Sequence, residues 1–502
     1  MKIKILLWSV VSILIIGLAG GAYWRMSRPQ VITFSDDAKV TLLKVEYGKR
    51  HAAPTAKAAA KPAAKPAAAA PVRRGGANSF TTPTDTLVLW VRQQYDASGN
   101  QSHNFQYYVY DEAETACAQT FGRNYAGNNR GGNEVVAVQF DAFPRRQGKL
   151  HVRVQEQGNG GQELSEQKFV VSNPVRNSFA KWTAEPLPST KEDGDLSVTL
   201  TKLVVGADMP YQRNQDNPDD AMNKGVQVTF HVERAGNRVT NWQPASVETT
   251  DATGNRTAIN NVSNGNQVQW NGDEGTFTYQ YGLWPDEPAW KLRMEMTQTS
   301  DFSNDEQWTA QNIPMVLRSQ QGFNGLGRGG VVRNGVVVRN NPGNAADAPV
   351  PCAEADLDGH HIKVFPVVQF TNQPARPAGL PANVVFNQPQ QTMLMIQIQP
   401  AVMNFGMMRP VNVAGLNGTQ PADDGTRVTL AKVTDGQGNE ITAMNAGTST
   451  SGMGGANSIS TLRFNLRDIE GVTNVNATIA LHKNRFVEFT AKPAKQETSN
   501  KN

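Results

Sequence analysis

Seven histidines, two cysteines and a scatter of acid pairs are what this 502-residue chain offers to acid–base, nucleophilic or metal chemistry. Only His360 and His361 adjoin, in the run EADLDGHH beside Asp356 and Asp358. Neighbouring residues on a strand point to opposite faces, so the pair would not readily share one metal. The run reads as a solvated turn entering a strand, with a cation site as the lesser reading. Cys117 and Cys352 stand far apart and outside any CxxC or ligand spacing. They either staple two parts of the chain or sit separately as small apolar thiols. The acid pairs Asp219-Asp220, Asp273-Glu274 and Asp286-Glu287 lie in loop sequence, and glycosidase geometry cannot be read from sequence spacing. The sequence has no GxSxG, no HExxH, no P-loop and no strand-linked GxGxxG, and Gly327-Arg328-Gly329-Gly330 has no helix after it. No catalytic residue, metal ligand or cofactor is therefore nominated, and whether the protein is an enzyme stays open.

Tryptophan is the more informative population. Six of the nine tryptophans, Trp182, Trp242, Trp270, Trp284, Trp290 and Trp308, fall within 180–316. A core of that size normally consumes one or two. Trp284 and Trp290 flank the turn of LWPDEPAW. In the strand Lys291–Met296 the alternation puts Leu292, Met294 and Met296 inward. The same phase carries Trp290 inward and leaves Trp284 beyond the Pro285 break. The candidate ligand-binding residues are accordingly Trp284, Asp286 and Glu287, a displayed ring beside carboxylates suited to a sugar hydroxyl or a cationic peptide group. Core packing is the competing reading of the same rings.

The elements that must position these residues are strands. Alternation of period two runs through Leu87–Val91, Val136–Phe140, Leu150–Val154, Val226–Val232, Leu292–Met296 and Leu462–Leu466. The one helix candidate is Asp111–Thr120, with an acidic first turn and Gly122 just beyond. The strands also repeat. VTLLKVEYG (Val40–Gly48) matches VTLTKLVVG (Val198–Gly206), DASGN (Asp96–Asn100) matches DATGN (Asp251–Asn255), and AFPRRQGKLHVRVQEQ (Ala142–Gln157) matches LWPDEPAWKLRMEMTQ (Leu283–Gln298). Both units stop at a proline, Pro174 and Pro314. A weaker third copy has VTLAKVTDGQGN (Val428–Asn439), a strand at Thr461–Arg467 and a terminal pair ending FVEFTAKP at Pro493. In Asp-x-x-Gly-Asn the Asp side chain caps a tight turn and Gly takes the positive φ, which reads as a hairpin rather than a calcium loop.

At the N-terminus, Ile5–Trp24 is uncharged and apolar, and about 20 residues at 1.5 Å rise span a bilayer core of roughly 30 Å. Lys2, Lys4, Tyr23, Trp24, Arg25 and Arg28 flank it as interfacial anchors. A cleaved signal peptide is the competing reading. From His51 to Arg74 four prolines and five Lys/Arg without an acid predict an extended cationic spacer. A net charge of +4 is too modest to expect nucleic-acid binding.

The expected fold class is mainly β: an N-terminal transmembrane helix followed by tandem antiparallel, immunoglobulin-like β-sandwich domains. The expected division is an anchor at 1–29, a sandwich at 30–175 interrupted by a disordered linker at 52–78, a second sandwich at 180–316, a Gly/Asn/Arg-rich loop at 317–349, a third sandwich at 350–493 and a disordered tail at 494–502. Anchor, spacer and repeated sandwiches together resemble bacterial envelope proteins with repeated immunoglobulin-like modules, a resemblance of architecture that carries over no residues. It implies a non-catalytic envelope protein for binding or scaffolding. An envelope hydrolase with a loop-built site is the alternative. The expected partners are the cytoplasmic membrane through the N-terminal helix, an anionic envelope polymer at the basic linker, and a carbohydrate or peptide at the Trp284 loop. The expected location is the cytoplasmic membrane, single-pass, N-in, with the bulk outside the cytoplasm.

Overall fold

A computed structural model describes residues 30–34, 38–54, 79–95, 104–119, 122–125, 133–157, 163–175, 178–209, 221–260, 268–280, 282–318, 331–333, 336–338, 350–370, 392–400, 425–451 and 458–496. They are 69% strand and include no helix of seven or more residues. None of the described helices is long and apolar enough to cross a membrane. The expected span at 1–29 lies outside the described residues. The transmembrane part of the expected fold class is corrected accordingly. The single-pass topology, the membrane partner and the location drawn from it are withdrawn with it.

The first unit contains β1 (Val31–Thr33), β2 (Lys39–Ala52), β3 (Ser79–Gln94), β4 (Asn104–Tyr110), β5 (Cys117–Gln119), β6 (Gly122–Tyr125), β7 (Asn133–Phe140), β8 (Lys149–Gln157) and β9 (Glu163–Ser172). They form two sheets, β1-β2-β3-β7-β6 and β5-β4-β8-β9. Alternation decides the faces: Leu87, Leu89, Val91, Val136, Val138 and Phe140 from one sheet share a core with Phe105, Tyr107, Val109, Leu150, Val152 and Val154 from the other. The predicted helix at Asp111–Thr120 is instead a turn leading into β5. Glu114 takes φ 51°, and the Asp111 carboxylate accepts from both the amide and the hydroxyl of Thr115, which closes the chain into a reversal before a helix can propagate. The basic linker interrupts the β2–β3 ladder, whose last pair is Ala52↔Ser79, and residues 55–78 lie outside the described residues.

The second unit contains β10 (Ser189–Asp193), β11 (Leu196–Asp208), β12 (Lys224–Arg234), β13 (Asn237–Arg238), β14 (Trp242–Asp251), β15 (Arg256–Asn260), β16 (Gln269–Asn271), β17 (Glu274–Gln280) and β18 (Trp290–Gln298). Its sheets, β10-β11-β12-β17-β16 and β15-β14-β18, follow the first unit strand for strand, with β13 an added short partner of β12. The duplication read in the sequence is therefore a duplication of topology. One matched pair is not equivalent, however. Asp96–Asn100, outside the described residues, falls between β3 and β4, whereas Asp251–Asn255 joins β14 to β15. The counterpart of the second turn is Asp111–Thr115.

The remaining strands are β19 (Gln307–Arg318), β20 (Val331–Arg333), β21 (Val336–Val338), β22 (Ala353–Leu357), β23 (His360–Val364), β24 (Val367–Phe370), β25 (Thr392–Gln399), β26 (Thr426–Asp435), β27 (Ala443–Ser451), β28 (Ile459–Leu466), β29 (Asn474–Lys483), β30 (Arg485–Ala491) and β31 (Ala494–Lys495). β20 and β21 pair only with each other, within the stretch expected to be a loop. In the third unit β22-β23-β25-β28-β27 repeats the order of the larger sheets before it, and β26-β29 repeats β14-β18. VTLAKV is thus the β14-like strand β26, not an opening strand. β24 bridges the two halves by lying parallel to β19, so nine strands form one sheet and the expectation of purely antiparallel pairing fails. The tail is ordered at β31, which runs parallel to β11.

The second and third units also trade strands. In the first unit β8 is completed by its successor β9, with Leu150↔Val171 and Val152↔Phe169. In the second unit that place beside β18 is taken by β30, with Leu292↔Phe489 and Met294↔Val487. β19, the true successor of β18, pairs with β29 through Trp308↔Ile479, Ala310↔Ala477 and Ile313↔Val475. Side-chain burial follows the exchange. Val487, Phe489 and Ala491 belong to the core shared by the first two units, while Ala310 and Ile313 belong to that of the third. Segments 180–316 and 350–493 are therefore not two self-contained sandwiches.

Candidate functional site

The turns after β4, β14 and β26 share one design. Asp251 Oδ1 accepts from the amides of Thr253 and Asn255 at 2.8 and 3.1 Å, and Oδ2 accepts from Asn255 Nδ2 at 2.8 Å. Asp435 repeats this with Gln437 and Asn439, each contact at 2.8 Å. Gly254 and Gly438 take φ 89° and 90°, the left-handed conformation an L side chain resists. In the first unit Thr115 stands where the others have Asn. The environments differ. Burial pushes the Asp111 carboxyl up, against the bonds from Thr115, whereas the bonds from Asn439 hold the Asp435 carboxyl below its usual range. Hydrogen bonds within each turn satisfy the carboxylate, so these are structural turns.

The nominated residues lie on the β17–β18 connection, the counterpart of the β7–β8 connection that carries Phe143. Trp284 is only 4% exposed and packs in the core, as Phe143 does at 0%. The aromatic-Pro step folds the ring inward over the end of the sheets, and Trp290 Nε1 donates to the Trp284 carbonyl at 3.2 Å. The ring is therefore not displayed to a ligand. Asp286 is exposed and pairs with Lys495 at 2.9 Å. Glu287 is buried and accepts from Arg146 Nε at 2.8 Å, across the boundary between the first two units. The structure thus brings Glu287 to a joint and sets Trp284 behind it.

That joint is built from one repeated loop with reversed charge: Phe-Pro-Arg-Arg in the first unit, Trp-Pro-Asp-Glu in the second. Arg145, itself buried, donates to the Thr253 carbonyl at 3.0 Å, to Tyr47 Oη at 3.1 Å and to the carbonyls of Asp85 and Asp141 at 3.2 and 3.0 Å. It also lies over the Phe143 ring at 4.9 Å, a cation–π contact. The Phe143 amide donates to Asn255 Oδ1 at 3.1 Å. Burial pushes the Glu287 carboxyl up while Arg146 draws it back, and its Oε2 has no hydrogen-bond partner.

A second joint links the second and third units. Glu295 and Arg427 form a buried ion pair, and Glu295 also accepts from Ser246 Oγ and Asn484 Nδ2, both at 2.7 Å. Beside it His482, 2% exposed, shares a hydrogen bond with Thr297 Oγ1 at 2.9 Å and lies 5.1 Å from the Phe302 ring. Burial drives the His482 pKa down to about 4; Glu306 opposes this and Arg427 adds to it. Spacing alone could not reveal these partners, because they lie on strands that are remote in sequence.

Elsewhere the chemistry is sparse. His361 sits on the exposed β22–β23 hairpin between Asp356 and Glu354, at 2.8 and 3.0 Å, and the bond to Asp356 raises its pKa. His360 turns instead to the Asp358 carbonyl. Cys117 is buried and Cys352 exposed, both as free thiols. Among the described residues no group of three or more His, Cys, Asp or Glu is placed to hold a metal, and no catalytic cluster stands out. No family model, curated protein or solved structure matches this chain. The expected membrane-anchored envelope module is set aside, since none of the described helices is long and apolar enough to cross a membrane.

Proposed function

We propose that the protein is an architectural element, a continuous β framework that holds three units at fixed spacing. The observation that carries this reading is the mutual exchange of β19 and β30, by which neither the second nor the third unit has a complete sheet without the other. A string of independent binding modules has no need of such lacing, since modules joined by a linker move by default. Both joints are buried and charge-paired, which resists bending and separation. The framework's work is mechanical, and its loops are carried at set positions.

The test is to stretch the full chain by its ends in single-molecule force spectroscopy. The second and third units should unravel in one event releasing roughly 1,100 Å of chain, because removing either exchanged strand undoes both sheets. Two separate steps of about half that length would overturn the reading.

A further inference from the structure

The trade between the second and third units has the form of a domain swap performed within one chain. Every pairing that joins the units would form as well if the third unit came from another copy. β30 of one chain would lie beside β18 of the other, and β19 of that other chain beside β29 of the first. Residues 319–352 decide which occurs, since they connect the end of β19 at Arg318 to the start of β22 at Ala353. With the β20–β21 hairpin kept paired, the rest of this stretch extends to at most roughly 90 Å.

We propose that the protein self-associates by exchanging third units between two copies, β30 of each completing the second unit of the other. The proposal rests on the same internal exchange as the framework reading. The partner is a second copy because the interface is written in features peculiar to these strands. Asn312, at φ 54°, puts a bulge in β19, and its amide donates to Asn476 Oδ1 on β29 at 2.9 Å. Thr309 and Thr478 hydroxyls meet at 2.9 Å across the same pair. On the other side Lys291 pairs with Glu488 at 3.1 Å, and Glu295 with Arg427. Closed and exchanged forms keep all of these, so their energies nearly cancel. The balance falls to protein concentration against the effective concentration of the tethered unit, on the order of millimolar for a short tether. A closed monomer prevails in dilute solution, and exchange grows with concentration whenever the joint has opened.

Arg293 and Glu488 face each other directly across β18 and β30 and are both exposed, which makes them a reporter. The full chain is prepared with Cys352→Ser throughout, once with Arg293→Cys and Glu488→Cys together, and once as two differently tagged chains carrying one substitution each. The tagged chains are unfolded together, refolded at about 10 and about 100 µM and oxidised. A disulfide-linked product bearing both tags is expected, its fraction rising about tenfold between the two concentrations while it is the minor form. No such product at either concentration, although the double variant closes its internal disulfide, would overturn the proposal and leave the framework reading intact. Failure of the double variant itself would overturn both.

Discussion

The first unit closes its smaller sheet with the next strand in the chain, and the second unit closes the equivalent sheet with a strand that follows almost the whole of the third. Both choices put alternating apolar residues into the same kind of slot: Phe169 and Val171 beside β8, Val487 and Phe489 beside β18. The slot therefore specifies an apolar face and a register, not a neighbour in sequence. What directs the choice is local. The bulge at Asn312 matches Asn476 on β29, and Glu488 matches Lys291 on β18. The consequence is energetic. A defect in β9 should stay within the first unit, whereas a defect in β30 should reach two.

The largest expected effect separates those cases. Phe489→Ala removes a fully buried ring from the second unit and should cost about 3–5 kcal/mol, with β18, β19 and β29 all losing hydrogen-exchange protection. Phe169→Ala, at 8% exposure, should cost less and leave β18 and β29 protected. Equal spread from both substitutions would break the comparison. Next is Arg427→Ala, which strands Glu295 at the second joint. It should cost about 3 kcal/mol, at the lower end for a broken buried pair because Ser246 and Asn484 still donate to the carboxylate. Chemical denaturation would read it.

Acid should act on the two joints with opposite sign. The native pKa of His482, about 4, lies below its ordinary value of 6.5, so between those values the unfolded chain binds the extra proton. Its contribution is complete above pH 6.5 and is lost as pH falls toward 4, roughly 3 kcal/mol in all. Glu287 is raised, so its contribution is present below the ordinary carboxylate pKa and lost as pH rises through the native one. Acidification should thus loosen the third unit while favouring the joint between the first two. Segment-resolved hydrogen exchange across pH 4 to 7 would check this, and His482→Gln should flatten the response of the third unit alone. The smallest effect sharpens the turn comparison. Asp251→Ala, in a buried turn against Arg145, should cost about 1–3 kcal/mol by thermal melting, and Asp435→Ala, in an exposed one, should cost less.

Much of this was legible in the residues. Alternation at Leu87–Val91 and Leu292–Met296 placed strands and their inward faces, and VTLLKV against VTLTKL announced the repeat. The repeat also carries a signal about Trp284: its counterpart in AFPRR is Phe143, and an aromatic-Pro step present in both units marks a shared core plug. The reversed charges of Arg145-Arg146 and Asp286-Glu287 likewise pointed to loops that meet. The exchange was not legible. β19 and β30 have similar alternation, and periodicity records which face is apolar without recording which remote edge a strand will join. The Asp111 turn is not legible because Glu114 and Thr115 replace the Gly-Asn pair that marks its two counterparts.

The central claim is that the second and third units are one cooperative body because they have traded strands. Native-state hydrogen exchange of the full chain in increasing denaturant tests it most directly. Amides in β18, β19, β29 and β30 should converge on a single opening free energy and denaturant slope, distinct from those of β8 and β9. Convergence of β18 with β19 on one value and of β29 with β30 on another would mean that each hairpin closes on itself, and would contradict the account.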